Sequence, residues 1–192
     1  MTLRTAVLSA AAMLAASGAA SAQSTQAFNV VGTIPSICAM EEPTLADGSL
    51  INFRGLNGTT LEVDQLTDPS TLTTRAASAS VSFAAVCSFP HNLVVESESN
   101  GLWRNAGSGA PSGFADGVPY LAQLAWGPVN GNLVADASAR RANQVTIGVD
   151  EAVSGEIVVD LEIQAGASNL RSNAPLIAGT YQDTLRITVE PQ

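Results

Sequence analysis

The side chains that could perform acid–base or nucleophilic chemistry are few in this sequence. His91 is the only histidine among 192 residues, and it follows Pro90 in a predicted turn. A hydroxyl nucleophile activated by His91 would also need an acid partner and an oxyanion site, and no Gly-x-Ser-x-Gly motif is present. We therefore interpret His91 as a surface turn residue and expect that the protein is not an enzyme.

Candidate metal ligands are equally sparse. One histidine and a pair of cysteines cannot supply a metal cluster built from His and Cys ligands. Asp64 and Asp68 are candidate calcium ligands, but the spacing of an EF-hand loop is missing. We expect these acids to be solvated loop residues, and we predict neither a metal nor a cofactor. Asn57-Gly58-Thr59 fits a glycosylation triplet, a pattern that also arises by chance.

Two tryptophans offer a different kind of chemistry. The indole rings of Trp103 and Trp126 could stack on a sugar, which leaves a secreted carbohydrate-binding β-sandwich as an alternative function. Packing in the core or anchoring a loop is the more common role of such aromatic residues.

The charge pattern excludes two classes of partner. The formal net charge is −9, the acidic residues are scattered, and there is no basic run. Binding to nucleic acid or to an anionic membrane requires a positive patch, so we expect neither partner.

The first 22 residues have the features of a signal peptide. Arg4 precedes an apolar run, and Ala20-Ser21-Ala22 fits the small-x-small cleavage pattern. An uncleaved anchor is the alternative. No later segment reaches about 18 apolar residues, so we expect no direct membrane insertion. The sequence predicts export through the periplasm, to the cell surface or the medium.

The two cysteines, Cys38 and Cys87, are predicted to form a disulfide because an exported protein meets an oxidising environment. Two buried free thiols are the alternative. A loop of about fifty residues gives a chain-entropy stabilisation of about 4 kcal/mol. Alternation along 79–87 points Cys87 inward, where it could meet Cys38 across two sheets.

Alternating apolar and polar residues recur along the chain and predict an all-β sandwich. Residues 99–118 lack any period and predict a surface loop, and Asn130-Gly131 predicts a hairpin turn. A brief helical turn is expected over 135–142. The predicted strands cover 27–34, 49–54, 59–64, 79–87, 92–97, 119–126, 145–149, 157–163 and 180–189.

Two of these strands lie at the two ends of the mature chain. The first has an apolar row formed by Phe28, Val30, Gly32 and Ile34, with Asn29, Val31 and Thr33 between them. The last has an apolar row formed by Leu185, Ile187 and Val189. No lysine blunts either strand, so both are predicted to be edges open to pairing with another chain.

Four segments together resemble the spore coat protein U domain family, secreted pilin subunits of the archaic chaperone–usher pathway in Gram-negative bacteria. They are the alternating row ahead of Cys38, the strand 80–87 that ends in Cys87, the apolar 119–126 strand, and the C-terminal motif 178–189. The C-terminal motif is the most specific of them.

The resemblance implies an incomplete immunoglobulin-like β-sandwich that lacks its final strand. It divides the chain into a signal peptide (1–22), a donor-strand extension (23–35) and a pilin domain (36–192). Phe28, Val30, Gly32 and Ile34 would form the donor strand, and Leu185, Ile187 and Val189 would line the acceptor groove of a neighbour. A periplasmic chaperone would fill that groove first, and an outer-membrane usher would assemble the subunits.

The implied function is that of a structural subunit of a surface pilus serving adhesion and biofilm formation, and neighbouring pilus subunits would be its partners. Gly179, Tyr181 and Asp183 lie in a segment that resembles the tyrosine corner of immunoglobulin-like folds, for which we expect a packing role.

Overall fold

The computed structural model describes residues 25–46, 50–105 and 109–192, and the chain divides into two units, Met1–Ile34 and Pro35–Gln192. The predicted signal peptide, residues 1–22, lies outside the described residues. The described part contains strands and no helix. Fourteen strands follow in order: β1 Cys38–Met40, β2 Thr44–Leu45, β3 Phe53–Asn57, β4 Thr60–Val63, β5 Ala77–Cys87, β6 His91–Ser97, β7 Leu102–Arg104, β8 Gly117–Val118, β9 Tyr120–Trp126, β10 Val129–Ala135, β11 Asn143–Val149, β12 Val153–Ile163, β13 Tyr181–Gln182 and β14 Leu185–Pro191.

Two sheets enclose most of the core. The large sheet has the order β1-β5-β12-β9-β10, with β2 also paired to β5, and the small sheet has the order β11-β6-β14. Two further groups, β13-β7-β8 and the hairpin β3-β4, lie outside these sheets. The named strand pairs are antiparallel, so the architecture is all-β and consistent with a sandwich, as the sequence pattern predicted.

The alternating rows face the core as their period predicts. On β6, Leu93 and Val95 are buried, and on β12 Ile157 and Val159 are buried while Asp160 is exposed. Side chains from both sheets belong to one apolar cluster, so the inner faces pack on each other. Burial of this cluster is the main stabilising contribution to the fold.

Short strands were missed where the sequence has no period. Residues 99–118, predicted as a loop, contain β7 and β8, which are three and two residues long. The predicted 49–54 strand is also wrong in its bounds, because β3 begins at Phe53 and continues through Gly55. Strands of this length hold too few side chains for an alternation to be detected.

The hairpin between β9 and β10 turns earlier than predicted. Trp126 pairs with Val129, so Gly127 and Pro128 form the turn, and Asn130-Gly131 lies inside β10. Gly127 has φ 54°, which suits the first central position of a tight hairpin turn. Gly131 lies under the side chain of Ile147 on β11, and a Cβ at this position would force that side chain to shift.

Two other predicted elements differ from the structure. The helical turn expected over 135–142 is absent, because β10 extends to Ala135 and a bend follows. The strand expected over 180–189 is divided at Asp183 and Thr184, so that β13 joins β7 while β14 joins β6.

The disulfide between Cys38 and Cys87 is confirmed, but it does not cross between sheets. Cys38 on β1 pairs directly with Cys87 on β5, the neighbouring strand of the same sheet, and their Cα atoms are 4.2 Å apart. The bond therefore fastens the three-residue strand β1 to the long strand beside it. The prediction failed because alternation gives the face of a side chain and does not give its partner strand.

Residues 25–34 form no strand in the structure, although their alternation predicts one. A strand requires a hydrogen-bonded partner, and alternation alone does not supply it. In the described part of the chain, no helix is long and apolar enough to cross a membrane.

Candidate functional site

The edge of the small sheet is the first component of the candidate site. Within the described residues, β14 pairs on one side with β6 and has no strand on its other side. The N–H of Glu98 donates to the carbonyl of Thr184 at 3.0 Å, so the backbone of Thr184 faces β6. Backbone groups of alternate residues face opposite sides, so those of Leu185, Ile187 and Val189 face the open edge.

The apolar row of β14 is less buried than the row beside it. Leu93 on β6 is 1% exposed and Val95 is 0% exposed. Leu185, Ile187 and Val189 contact the core but remain only half-buried. The inner side of β14 therefore borders a region that the described residues cover incompletely.

The two sheets approach each other closely on one side of the molecule. There β10 of the large sheet lies against β11 of the small sheet, as the contact of Gly131 with Ile147 illustrates. On the other side the edges are the short strands β1 and β2 on the large sheet, and β14 on the small sheet. The half-buried row thus lies along the more open side of the core.

Asp183 fixes the position where the chain enters β14. One carboxylate oxygen accepts hydrogen bonds from the hydroxyls of Ser97 and Tyr120, the latter at 2.8 Å, and from the N–H of Gly101 at 3.3 Å. The other accepts from the N–H groups of Ser99 and Thr184, at 2.9 and 2.8 Å. A single carboxylate therefore joins the end of β6, the start of β9 and the start of β14.

Burial changes the acidity of Tyr120. It raises the pKa of the Tyr120 phenol well above its ordinary value, and the nearby Asp183 carboxylate acts in the same direction. The phenol therefore remains a protonated donor to Asp183 across the ordinary pH range.

Tyr181 folds its side chain back on the preceding loop. Its hydroxyl donates to the carbonyl of Ile177, four residues upstream, at 2.8 Å, and also lies 3.3 Å from the carbonyl of Ala115. Burial raises the pKa of Tyr181 to about 12, while the charge of Arg104 acts in the opposite direction. The local bonds hold the loop that leads into β13.

Gly179 is the third residue of this C-terminal motif. A Cβ at position 179 would lie 2.7 Å from Cγ of Arg104, so the absence of a side chain lets Arg104 cross the backbone. Arg104 also pairs with Tyr181 in the β7–β13 ladder. Glycine at position 179 therefore suits both the path of the Arg104 side chain and the φ of 156° of this residue.

The N-terminal segment, considered by itself, is a row of exposed apolar side chains. Phe28, Val30 and Val31 are each 86% exposed, and Ile34 is 85% exposed. No atom lies within 4 Å of the Cβ position of Gly32. Exposure of several large apolar side chains in one short segment is typical of a surface that binds another molecule.

His91 is not the surface turn residue that the sequence predicted. It is fully buried on β6, where its ring packs 4.8 Å from the ring of Trp126, centroid to centroid. Its Nδ1 lies 2.7 Å from the carbonyl oxygen of Phe89. A position after proline suggested a turn, but tertiary packing placed the imidazole in the core.

The tryptophans do not form a common surface for a sugar. Trp126 is 1% exposed, so its faces are covered by the core. Trp103 is half-buried, and its Nε1 donates to the carbonyl of Ser99 at 2.6 Å. Burial of Trp126 and anchoring of Trp103 argue against the alternative sugar-binding arrangement.

The acids singled out in the sequence take part in surface hydrogen bonding. Asp64 pairs with Arg54 at 2.8 Å, and Asp68 accepts from the N–H groups of Ser70 and Thr71. These turn bonds lower the pKa of Asp68. Among the described residues, no group of three or more His, Cys, Asp or Glu side chains could hold a metal ion.

Sequence reasoning missed two features of the β14 region. Arg186 on the outer face pairs with Glu96 at 3.1 Å and Glu98 at 2.7 Å, which joins β14 to β6. The partners of Asp183 were also missed, because Ser97, Ser99 and Tyr120 are more than sixty residues away in the sequence. No local pattern signals either arrangement.

No family model, curated protein or solved structure matches this chain.

Proposed function

We propose that this protein is a structural subunit of a surface pilus, polymerised by donor-strand complementation and serving adhesion and biofilm formation. The observation that carries the proposal is the open edge of β14, with its half-buried Leu185, Ile187 and Val189, in a chain that also exposes Phe28, Val30 and Ile34. On this proposal the domain is an immunoglobulin-like sandwich that lacks its final strand, and one subunit supplies the strand that the next one needs.

Addition of a strand from another subunit would explain both the open edge of β14 and the exposed apolar residues of the N-terminal segment. An added strand would bond to the outward backbone groups of β14 and place alternate side chains over the half-buried row. Phe28, Val30 and Ile34 have the required period of two, and Gly32 suits a narrow position or a close backbone approach. Full burial of the three large side chains would contribute about 5 to 8 kcal/mol as an upper bound.

The occupant that fits the β14 edge is the segment 27–34 of a second copy. Ser88 holds the chain at Pro35 and Ile37: its Oγ lies 3.3 Å from the carbonyl oxygen of Pro35, and its N–H donates to the carbonyl of Ile37 at 3.0 Å. Ser88 is the first residue of the connection between β5 and β6. The first residue of β6, His91, pairs with Pro191 at the end of β14. The contacts of Ser88 hold Pro35 at the connection between β5 and β6.

On the proposed function the added strand belongs to a second copy, whose segment 27–34 continues into a domain of its own. Repetition of this head-to-tail contact generates a filament.

The remaining partners follow from the family resemblance. A periplasmic chaperone would cover the β14 edge before assembly, because an exposed apolar edge otherwise pairs with other chains. An outer-membrane usher would receive the chaperone-bound subunits, which requires export through the periplasm. The tyrosine-corner geometry of Tyr181, with its bond to the carbonyl of Ile177, supports the immunoglobulin-like assignment.

A matched pair of charge substitutions tests the proposal. Val30 and Val31 are equally exposed and chemically identical, but they lie on opposite faces of an extended segment. We expect Val30→Asp to abolish polymer formation by purified mature protein, since a carboxylate would be buried without a partner. Val31→Asp should polymerise like the unmodified protein.

Polymer formation is measured by sedimentation velocity and negative-stain electron microscopy, and circular dichroism confirms that both variants fold. Filaments of equal length and yield from Val30→Asp and Val31→Asp would contradict the donor assignment. Loss of polymer in both variants would show that the face of the segment does not matter, which also contradicts it.

A further inference from the structure

Three Asn-Gly dipeptides occur in the chain, and the structure places them in three different environments. They are Asn57-Gly58, Asn100-Gly101 and Asn130-Gly131. Asparagine is a thermolabile residue. A following glycine is the least hindered neighbour because it has no Cβ beside the reacting backbone nitrogen. The surroundings of each dipeptide therefore decide whether the side chain and that nitrogen can meet.

Asn57 and Gly58 lie at the tip of the β3–β4 hairpin. Asn57 pairs with Thr60, so Gly58 and Thr59 are the two turn residues. Gly58 has φ 58° and nothing within 4 Å of its Cβ position, and Asn57, Gly58 and Thr59 are all exposed. In such a turn the N–H of the first central residue lies outside the ladder, so the nitrogen of Gly58 is accessible.

Asn100, unlike Asn57, is buried and hydrogen-bonded. It is 2% exposed, and its side-chain amide donates to Asp136 and accepts from the Nδ2 of Asn143 at 2.9 Å. The N–H of Gly101 points to a carboxylate oxygen of Asp183 at 3.3 Å. The side-chain amide of Asn100 and the backbone nitrogen of Gly101 are thus both engaged in hydrogen bonds to other residues.

Asn130 and Gly131 are held by a sheet. They pair with Ala125 and Leu124 within the β9–β10 ladder, and the side chain of Ile147 lies directly over Gly131. The hydrogen-bonded pairs alternate from the closing pair Trp126–Val129, so the backbone nitrogen of Gly131 is bonded within the ladder, whereas that of the turn residue Gly58 is not.

We propose that Asn57 is a site of spontaneous covalent modification, by deamidation through a cyclic imide. The backbone nitrogen of Gly58 attacks Cγ of Asn57, a new C–N bond forms, and the side-chain amide nitrogen leaves as ammonia. Water then opens the ring at either carbonyl, which gives aspartate or isoaspartate at position 57. The net change is consumption of one water and release of one ammonia, with no oxidant or reductant.

The modification alters the hairpin in two ways. A negative charge appears on a hairpin whose acids Glu62 and Asp64 already share the single guanidinium of Arg54. Isoaspartate also lengthens the backbone by one carbon at the residue that pairs with Thr60, which disrupts the last pair of the β3–β4 ladder. An aged protein would therefore have a more acidic and less ordered hairpin tip.

The experiment incubates the purified mature protein at mildly alkaline pH and follows each Asn-Gly peptide by mass spectrometry, which separates amide, aspartate and isoaspartate forms. We expect Asn57 to be modified about tenfold faster or more than Asn100 and Asn130 in the folded protein. In urea the three rates should converge, because the fold no longer distinguishes the sites. Asn57→Gln should remove most of the ammonia released by the folded protein.

Two results would overturn the proposal. One is an Asn57 rate in the folded protein no higher than that of Asn130. The other is a folded-state Asn57 rate so low that Asn57→Gln leaves ammonia release unchanged.

Discussion

At the scale of single residues, Asp183 has the most connected side chain near the candidate site. Its carboxylate accepts bonds from Ser97, Ser99, Gly101, Tyr120 and Thr184. Hydrogen bonds to a charged acceptor are stronger than neutral ones. Removal of this acceptor would leave several part-buried donors without a partner, which is more costly than the loss of one exposed bond.

We expect Asp183→Ala to lower the free energy of unfolding by about 3 kcal/mol, measured by urea denaturation. Asp160→Ala is the matched control, because Asp160 is exposed on β12, and it should change stability by less than about 0.5 kcal/mol. Equal effects from the two substitutions would show that the Asp183 bonds contribute little to stability.

At the scale of elements, the regular alternation of long strands was predictable and the positions of turns and short strands were not. The period of two correctly located β5, β6, β9, β11 and β12, because each has one face in a common core. The turn predicted at Asn130-Gly131 was wrong because β9 pairs with β10 in a register that places the turn at Gly127 and Pro128. An Asn-Gly dipeptide alone does not determine the register of the strands around it.

The candidate site likewise combines one feature that local alternation predicts with others that it does not predict. The apolar row of Leu185, Ile187 and Val189 follows from alternation, and the structure has it half-buried on an edge strand. The partners of Asp183 and the burial of His91 against Trp126 depend on residues far apart in the chain. Contacts between distant segments determine them, so no local pattern in the sequence could specify them.

The corner formed by Tyr181 predicts a pH dependence of the β13–β14 connection. The pKa of Tyr181 is about 12 in the folded protein, against an ordinary value of 10.0. A raised pKa means that the folded protein binds the proton more tightly than the unfolded chain does. The corresponding stability is fully present below about pH 10 and is lost as the pH rises towards about 12.

We expect the free energy of unfolding to fall between about pH 10 and pH 12, and Tyr181→Phe to show a shallower fall because one of the two shifted phenols is gone. Tyr120 contributes in the same direction, since burial raises its pKa as well. Urea denaturation at a series of alkaline pH values checks this. A slope that is identical with and without Tyr181 would contradict a role for its phenol.

At the scale of the whole molecule, the protein combines an exposed apolar segment with an open sheet edge. The chain divides between Ile34 and Pro35, and the segment before that point exposes Phe28, Val30 and Ile34. On the proposed function, each molecule therefore both donates a strand and accepts one.

The most direct measurement adds a synthetic peptide of residues 25–35 to a protein that lacks residues 23–34 and follows its thermal unfolding. We expect one peptide to bind per domain and, at about a hundred times its dissociation constant, to raise the melting temperature by about 5 to 10 °C. A peptide with Val31→Asp should do the same, and one with Val30→Asp should not. The account would be contradicted if the unmodified peptide left the melting temperature unchanged, or if both substituted peptides raised it equally.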